Sequence, residues 1–228
     1  MPILLILILL LSLLILAPQY YVQHVLRKYS KPHEGLPGTG GELARHLLDR
    51  YELNEVKLEL SQEGDHYDPL SRTVRLSAGN LHGRSLTAVA VAAHEVGHAL
   101  QHAAKDPMFE VRGRMVRLAT LAQKAGVVAM LAIPVLTLLT RAPALGGLTL
   151  LVAVLSFLSA ALVHLVTLPV EWDASFGRAL PILIQGEYIN KSEQRVVRRI
   201  LRAAALTYLA AALASLLNLS RWLPILRR

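Results

Sequence analysis

The sequence predicts a mainly α fold: a multi-pass helical membrane protein with a small α+β domain organised around one helix. Three observations predict it. The chain is 54% hydrophobic over 228 residues, which suits membrane helices with a modest soluble part better than two soluble domains. Apolar stretches approaching or exceeding spanning length recur near the N-terminus, in the second half and near the C-terminus. Between them, a polar stretch mixes strand and helix patterns and contains a single H-E-x-x-H, His94-Glu95-Val96-Gly97-His98.

Residues 1–22 read as an N-terminal transmembrane anchor. Ile3 to Ala17 is almost wholly Leu and Ile, and Tyr20 and Tyr21 follow as an interfacial aromatic pair. The stretch lacks a positive n-region and a small-x-small cleavage site, so it reads as an uncleaved anchor, not a signal peptide. Residues 23–124 follow as the main polar region. Its linker, Ser30 to Gly38, is broken by Pro32, Gly35 and Pro37. Thr39-Gly40-Gly41-Glu42 has the capping-box pattern and precedes a short amphipathic helix from Leu43 to Leu48. Val56 to Leu60 alternates as a strand. Asp68-Pro69-Leu70-Ser71 signals a turn, and Thr73 to Ser77 reads as a second strand or hairpin arm with Val74 and Leu76 on one face. The helix with the H-E-x-x-H begins near Ser85.

From Ala125 to Val170 the only ionisable side chains are Arg141 and His164. That length fits two crossings turning near Arg141-Ala142-Pro143, so residues 125–170 read as a transmembrane hairpin. Residues 171–202 return as a polar segment, and residues 203–228 hold a fourth transmembrane or membrane-packed helix and a tail. The charge distribution supplies an orientation. The net charge is +8, and 20 of the 24 Lys and Arg lie within residues 23–124 and 171–202. Two crossings separate these regions, so both face one side, and the positive-inside rule makes that side the cytoplasm. The expected place is therefore the cell membrane, in contact with the lipid bilayer. Nucleic acid is not an expected partner, because no base-reading motif accompanies the charge. The absence of cysteine excludes disulfides and thiolate metal ligands.

The H-E-x-x-H carries the chemistry. Residues four apart lie on one helix face, so His94 and His98 can present two imidazoles to one cation. Neutral imidazole suits zinc, and Glu95 stands where it can act as general base on an attacking water. The small or apolar neighbours, Val91-Ala92-Ala93 and Ala99-Leu100, are what a helix inside a packed domain needs. A catalytic zinc site takes a third protein ligand and keeps one position open. His102 continues the four-residue spacing but lies eight residues beyond His94, about 12 Å along a helix, too far for one ion. Glu171 in Leu168-Pro169-Val170-Glu171-Trp172-Asp173-Ala174-Ser175 follows the hairpin directly and would complete a His2Glu site. His164 is the runner-up ligand. Asp173 is a candidate to orient a ligand histidine. Arg178 and Tyr67 are candidates to stabilise an oxyanion. A peptide substrate would add as an extra strand to an exposed edge, for which Thr73 to Ser77 is the candidate.

These residues also resemble a family. The stretches His66-Tyr67-Asp68-Pro69 and Val74-Arg75-Leu76-Ser77 are similar to those of the YugP-type neutral zinc metallopeptidases, bacterial multi-pass membrane proteins. So are Val91 to His102, Leu168 to Ser175, and Ala203-Ala204-Ala205-Leu206-Thr207-Tyr208. The resemblance implies a zincin-like catalytic domain, one zinc ion per chain held by His94, His98 and Glu171, and Glu95 as the catalytic base. Some members carry a basic pair just after the Ala-Ser, where this chain has Phe176-Gly177 before Arg178. A more distant likeness to HtpX-type membrane proteases implies, by analogy, a role in membrane-protein quality control with membrane proteins as substrates. The expected function is thus a membrane-bound zinc metalloendopeptidase acting on peptide or protein substrates. The alternative is a zinc-binding membrane scaffold or adaptor without proteolytic activity, and a purely structural site has four closed ligands and no use for Glu95.

Overall fold

The computed structural model describes residues 17–140 and 166–220, with a few helical positions between 147 and 163. The chain divides into two compact units. One is formed by Tyr20–Glu110 and Leu168–Thr207 and contains the sheet and every candidate site residue described below. In the other unit, the described residues are helical.

In the first unit a helix over residues 17–28 (α1) leads to α2, Gly40–Arg50. The capping box at Thr39 closes as the sequence predicts: Glu42 N–H donates to Thr39 Oγ1 at 3.1 Å, and Thr39 N–H donates to Glu42 Oε2 at 2.7 Å. Three short strands follow, β1 (Lys57–Ser61), β2 (His66–Asp68) and β3 (Thr73–Ser77), in the order β1-β3-β2. The turn at Asp68 is present, but the arm it joins to β3 is β2, antiparallel, whereas β1 pairs with β3 in parallel. Val74 and Leu76 are fully buried, and the sheet packs by this face.

A short α3, Ala78–Leu81, precedes α4, Leu86–Ala103. Ser85 caps α4 by accepting from Ala88 N–H. The helix is buried nearly throughout because Ala88, Ala90, Ala92, Ala93 and Ala99 let neighbours approach from several sides. Its C-terminus turns at Lys105, in the left-handed region at φ 51°, with Asp106 N–H on Gln101 O at 3.0 Å. Asp106 then caps α5, Pro107–Thr140, accepting from the N–H groups of Met108 and Phe109. The chain returns as α6 over residues 166–172, which runs into a π-helical segment, Asp173–Ala179, then α7, Leu180–Gln185, and α8, Gln194–Ser220. The core joins α2, α4, the inner sheet face, α7 and the first part of α8 through Leu47, Leu76, Val96, Leu183 and Ile200.

Two expectations are corrected. The first is the multi-pass helical membrane architecture: among the described residues no helix is long and apolar enough to cross a membrane. The first half of α5 carries Arg112, Arg114, Arg117 and Lys124. The first half of α8 carries Arg195, Arg198, Arg199 and Arg202. The orientation argument counted crossings, which the described residues do not supply. Most of the expected anchor, and His164, lie outside the described residues. The second correction concerns Thr73 to Ser77 as an open edge. β3 is the central strand with both sides paired, because β1 takes the side that a simple hairpin would leave free.

Candidate metal centre

Burial of α4 brings His94, Glu95 and His98 inside the domain, at 5%, 6% and 4% exposure. The chain's return through α6 sets a fully buried Glu171 against them. His94 Nε2 lies 3.2 Å from Glu171 Oε2, and His98 Nε2 lies 3.1 Å from the same oxygen. One possible ligand atom from each of these three residues falls within 4.8 Å of the others. The three residues that the sequence proposes as ligands are therefore brought together across 77 and 73 positions of chain.

The proton on the His98 ring can be placed from its neighbours. Gln101, 1% exposed, donates its amide N–H groups to Val170 O at 2.9 Å and Asp173 Oδ2 at 2.8 Å. A backbone carbonyl and an ionised carboxylate only accept, so the amide oxygen must be the atom facing His98 Nδ1 at 2.8 Å. His98 Nδ1 then carries the proton, which leaves Nε2, 3.1 Å from Glu171 Oε2, as the nitrogen that a metal would take. At His94 the partner is a hydroxyl: Ser175 Oγ lies 3.0 Å from Nδ1 and 3.3 Å from Leu201 O. Two imidazole nitrogens and a carboxylate oxygen thus converge. Two neutral imidazoles and one carboxylate form a zinc-type donor set, and the residues fit that metal.

The segment after Glu171 is built to reach α4. Leu180 N–H bonds Ser175 O, one residue wider than an α-turn. The wide turn aligns Asp173 with Arg178, five residues on, whose Nε donates to Asp173 Oδ2 at 2.9 Å. A Cβ at Gly97 would lie 2.8 Å from Ala174 O, so the glycine inside the motif lets this backbone close on the helix. Asp173 does not touch a histidine; it acts on His98 through Gln101. Arg178 is engaged with Asp173 and, at 3.5 Å, with Asp106. Tyr67, on β2, bonds His102 Nδ1 at 2.8 Å, and burial pushes its hydroxyl up to about pKa 12, so it stays protonated. Phe109 packs beside His98 and His102, with ring centroids 6.1 and 5.7 Å away. A cavity of about 340 Å³ opens beside Tyr67, His102 and Ala99. Gln101 and Ser175 were missed by sequence reasoning, although one is three residues from His98 and the other four from Glu171, the spacings that share a helix face.

Residues 3–227 match the family described as "Putative neutral zinc metallopeptidase". The chain belongs to this neutral zinc metallopeptidase family. It is also 39% identical over 210 residues, 91% of this chain and 89% of the relative, to a Bacillus subtilis (strain 168) protein named "Putative membrane protease YugP". No solved structure matches. Membership in a zinc metallopeptidase family implies zinc, and in this chain the buried His94, His98 and Glu171 are a group able to hold a metal ion.

Proposed function

We propose that this protein is a zinc-dependent endopeptidase in which His94, His98 and Glu171 hold one ion and Glu95 is the general base. The observation that carries the reading is the convergence of His94, His98 and Glu171, with a polar partner at each imidazole Nδ1 behind them. Zinc bound there would polarise a peptide carbonyl and lower the pKa of water towards about 7. The chain's own groups do the rest. Glu95, one residue beyond His94 on α4, takes the proton of the attacking water and hands it to the leaving amine. The aromatic wall of Phe109 shields His98 from solvent. An extended substrate aligns along β2, an edge strand whose Tyr67 reaches the face of α4 at His102. Association with membranes is supported by the relative's name and by the exposed Leu121, Leu131 and Leu138 of α5.

The test is cleavage of an unfolded model protein by the purified chain, wild type against Glu95→Gln at equal zinc content. The expected result is chelator-sensitive activity in the wild type and a fall of about 10²–10⁴-fold in the variant. Equal activity in the two proteins would remove Glu95 as the base. Stoichiometric zinc with no cleavage in either, across a broad peptide library, would favour a zinc-binding protein that does not hydrolyse.

A further inference from the structure

We infer that Gln101 is a positioning residue of the metal centre, fixing the nitrogen that His98 offers and tying that ligand to the chain segment carrying Glu171. The inference rests on the reading of His94, His98 and Glu171 as the metal site. Three contacts carry it, all from one buried amide: His98 Nδ1 at 2.8 Å, Val170 O at 2.9 Å and Asp173 Oδ2 at 2.8 Å. Val170 immediately precedes Glu171, so the bond to its carbonyl holds the backbone from which that carboxylate projects. The amide therefore grips two proposed ligands that stand 73 residues apart in sequence.

No other side chain performs all three tasks. His98 Nδ1–H needs an acceptor, while the Val170 carbonyl and Asp173 need donors. Leu offers neither. Glu accepts but cannot donate, and would set its charge against Asp173. Asp173 alone could accept from a histidine, but would leave the Val170 carbonyl without its donor. Gln101 is itself held from behind, because its backbone carbonyl accepts from Asp106 N–H at the end of α4. Arg178 steadies Asp173 from the other side at 2.9 Å. The result is a strut, His98–Gln101–Asp173–Arg178, with a polar bond at every joint.

The experiment measures zinc affinity of the full chain by chelator competition, so its readout does not depend on cleavage. Gln101→Leu is expected to weaken zinc binding about 10–100-fold, the range for partners that orient metal ligands. The near-isosteric Gln101→Glu should weaken it as well, because two carboxylates then face each other. Adding Asp173→Asn to Gln101→Glu restores a donor opposite the new carboxylate, though not the bond to Val170 O, and should recover part of the loss, compared with Asp173→Asn alone. Loss of packing alone predicts no such rescue. Variants that are folded by circular dichroism yet bind zinc within twofold of wild type would overturn the inference. So would a double variant that binds no better than Gln101→Glu. Wild type that binds no zinc would overturn the metal-site reading and this inference together, whereas unchanged variants beside a zinc-binding wild type would sink the inference alone.

Discussion

His94, His98 and His102 recur every four residues along α4, yet the first two and the third have different surroundings. Behind His94 and His98 stand the Ser175 hydroxyl and the Gln101 amide oxygen, and in front of both stands Glu171. His102 is partly exposed, has Tyr67 Oη at its Nδ1 and packs beside Phe109. Helical spacing puts all three imidazoles along one side, but spacing does not make a ligand. The partner at the far nitrogen decides which nitrogen a metal would take, and the returning Glu171 decides where a cation would sit.

That contrast can be broken by substitution. Removing a proposed ligand, as in Glu171→Ala or His98→Ala, should abolish stoichiometric zinc and cut peptidase activity about 10³-fold or more, since a bound metal contributes several kcal/mol. His102→Ala should retain zinc. Elemental analysis after dialysis separates the cases, and zinc retained by Glu171→Ala would remove that carboxylate from the ligand set. Ser175→Ala takes away the hydroxyl behind His94 and should weaken zinc roughly tenfold or more. An unchanged affinity in chelator competition would mean that the tautomer of His94 is fixed by something else.

Smaller effects sharpen the comparison. Gly97→Ala gains helix propensity of about 1 kcal/mol but drives a methyl group against Ala174 O. Overpacking of this kind costs about 1–3 kcal/mol, so urea unfolding of the metal-free protein should show net destabilisation. A more stable variant would refute the close approach. Tyr67→Phe deletes the hydroxyl on His102 and should leave zinc content unchanged. A loss of zinc would mean that the third histidine serves the metal after all. On the sheet, hydrogen bonds from Ser71 first, then from Arg75 and the Leu70 and Ser71 amides, hold the Asp68 carboxyl down at about pKa 2. Because the folded value lies below the ordinary one near 3.8, its stabilisation is complete above that pH and fades as pH falls towards 2. The stability gap between wild type and Asp68→Asn should therefore stay flat from neutral pH to about 4 and close below it. A gap that is unchanged at pH 2 would contradict this.

Local signals were the legible part of the sequence. Thr39 and Glu42 announced their capping box, Val74 and Leu76 their buried face, and H-E-x-x-H its helix. Glu171 was reachable because it directly follows an apolar span. The π-turn was not legible, since it depends on how closely Ala174 can approach Gly97, a property of two backbones 77 residues apart. Nor was the pairing of β1 with β3, which depends on where the chain crosses over and not on alternation within either strand. The multi-pass reading counted hydropathy along the sequence, whereas among the described residues no helix is long and apolar enough to cross a membrane.

The distance in sequence between the two halves of the centre has a consequence for biosynthesis. His94 leaves the ribosome 77 residues before Glu171. At a synthesis rate of about 5–20 residues per second, a growing chain spends several seconds with both imidazoles made and the carboxylate still missing. Translation order thus delays assembly of the full donor set until Glu171 has been made, and a prematurely terminated product ending before α6 would carry the motif helix without a complete site.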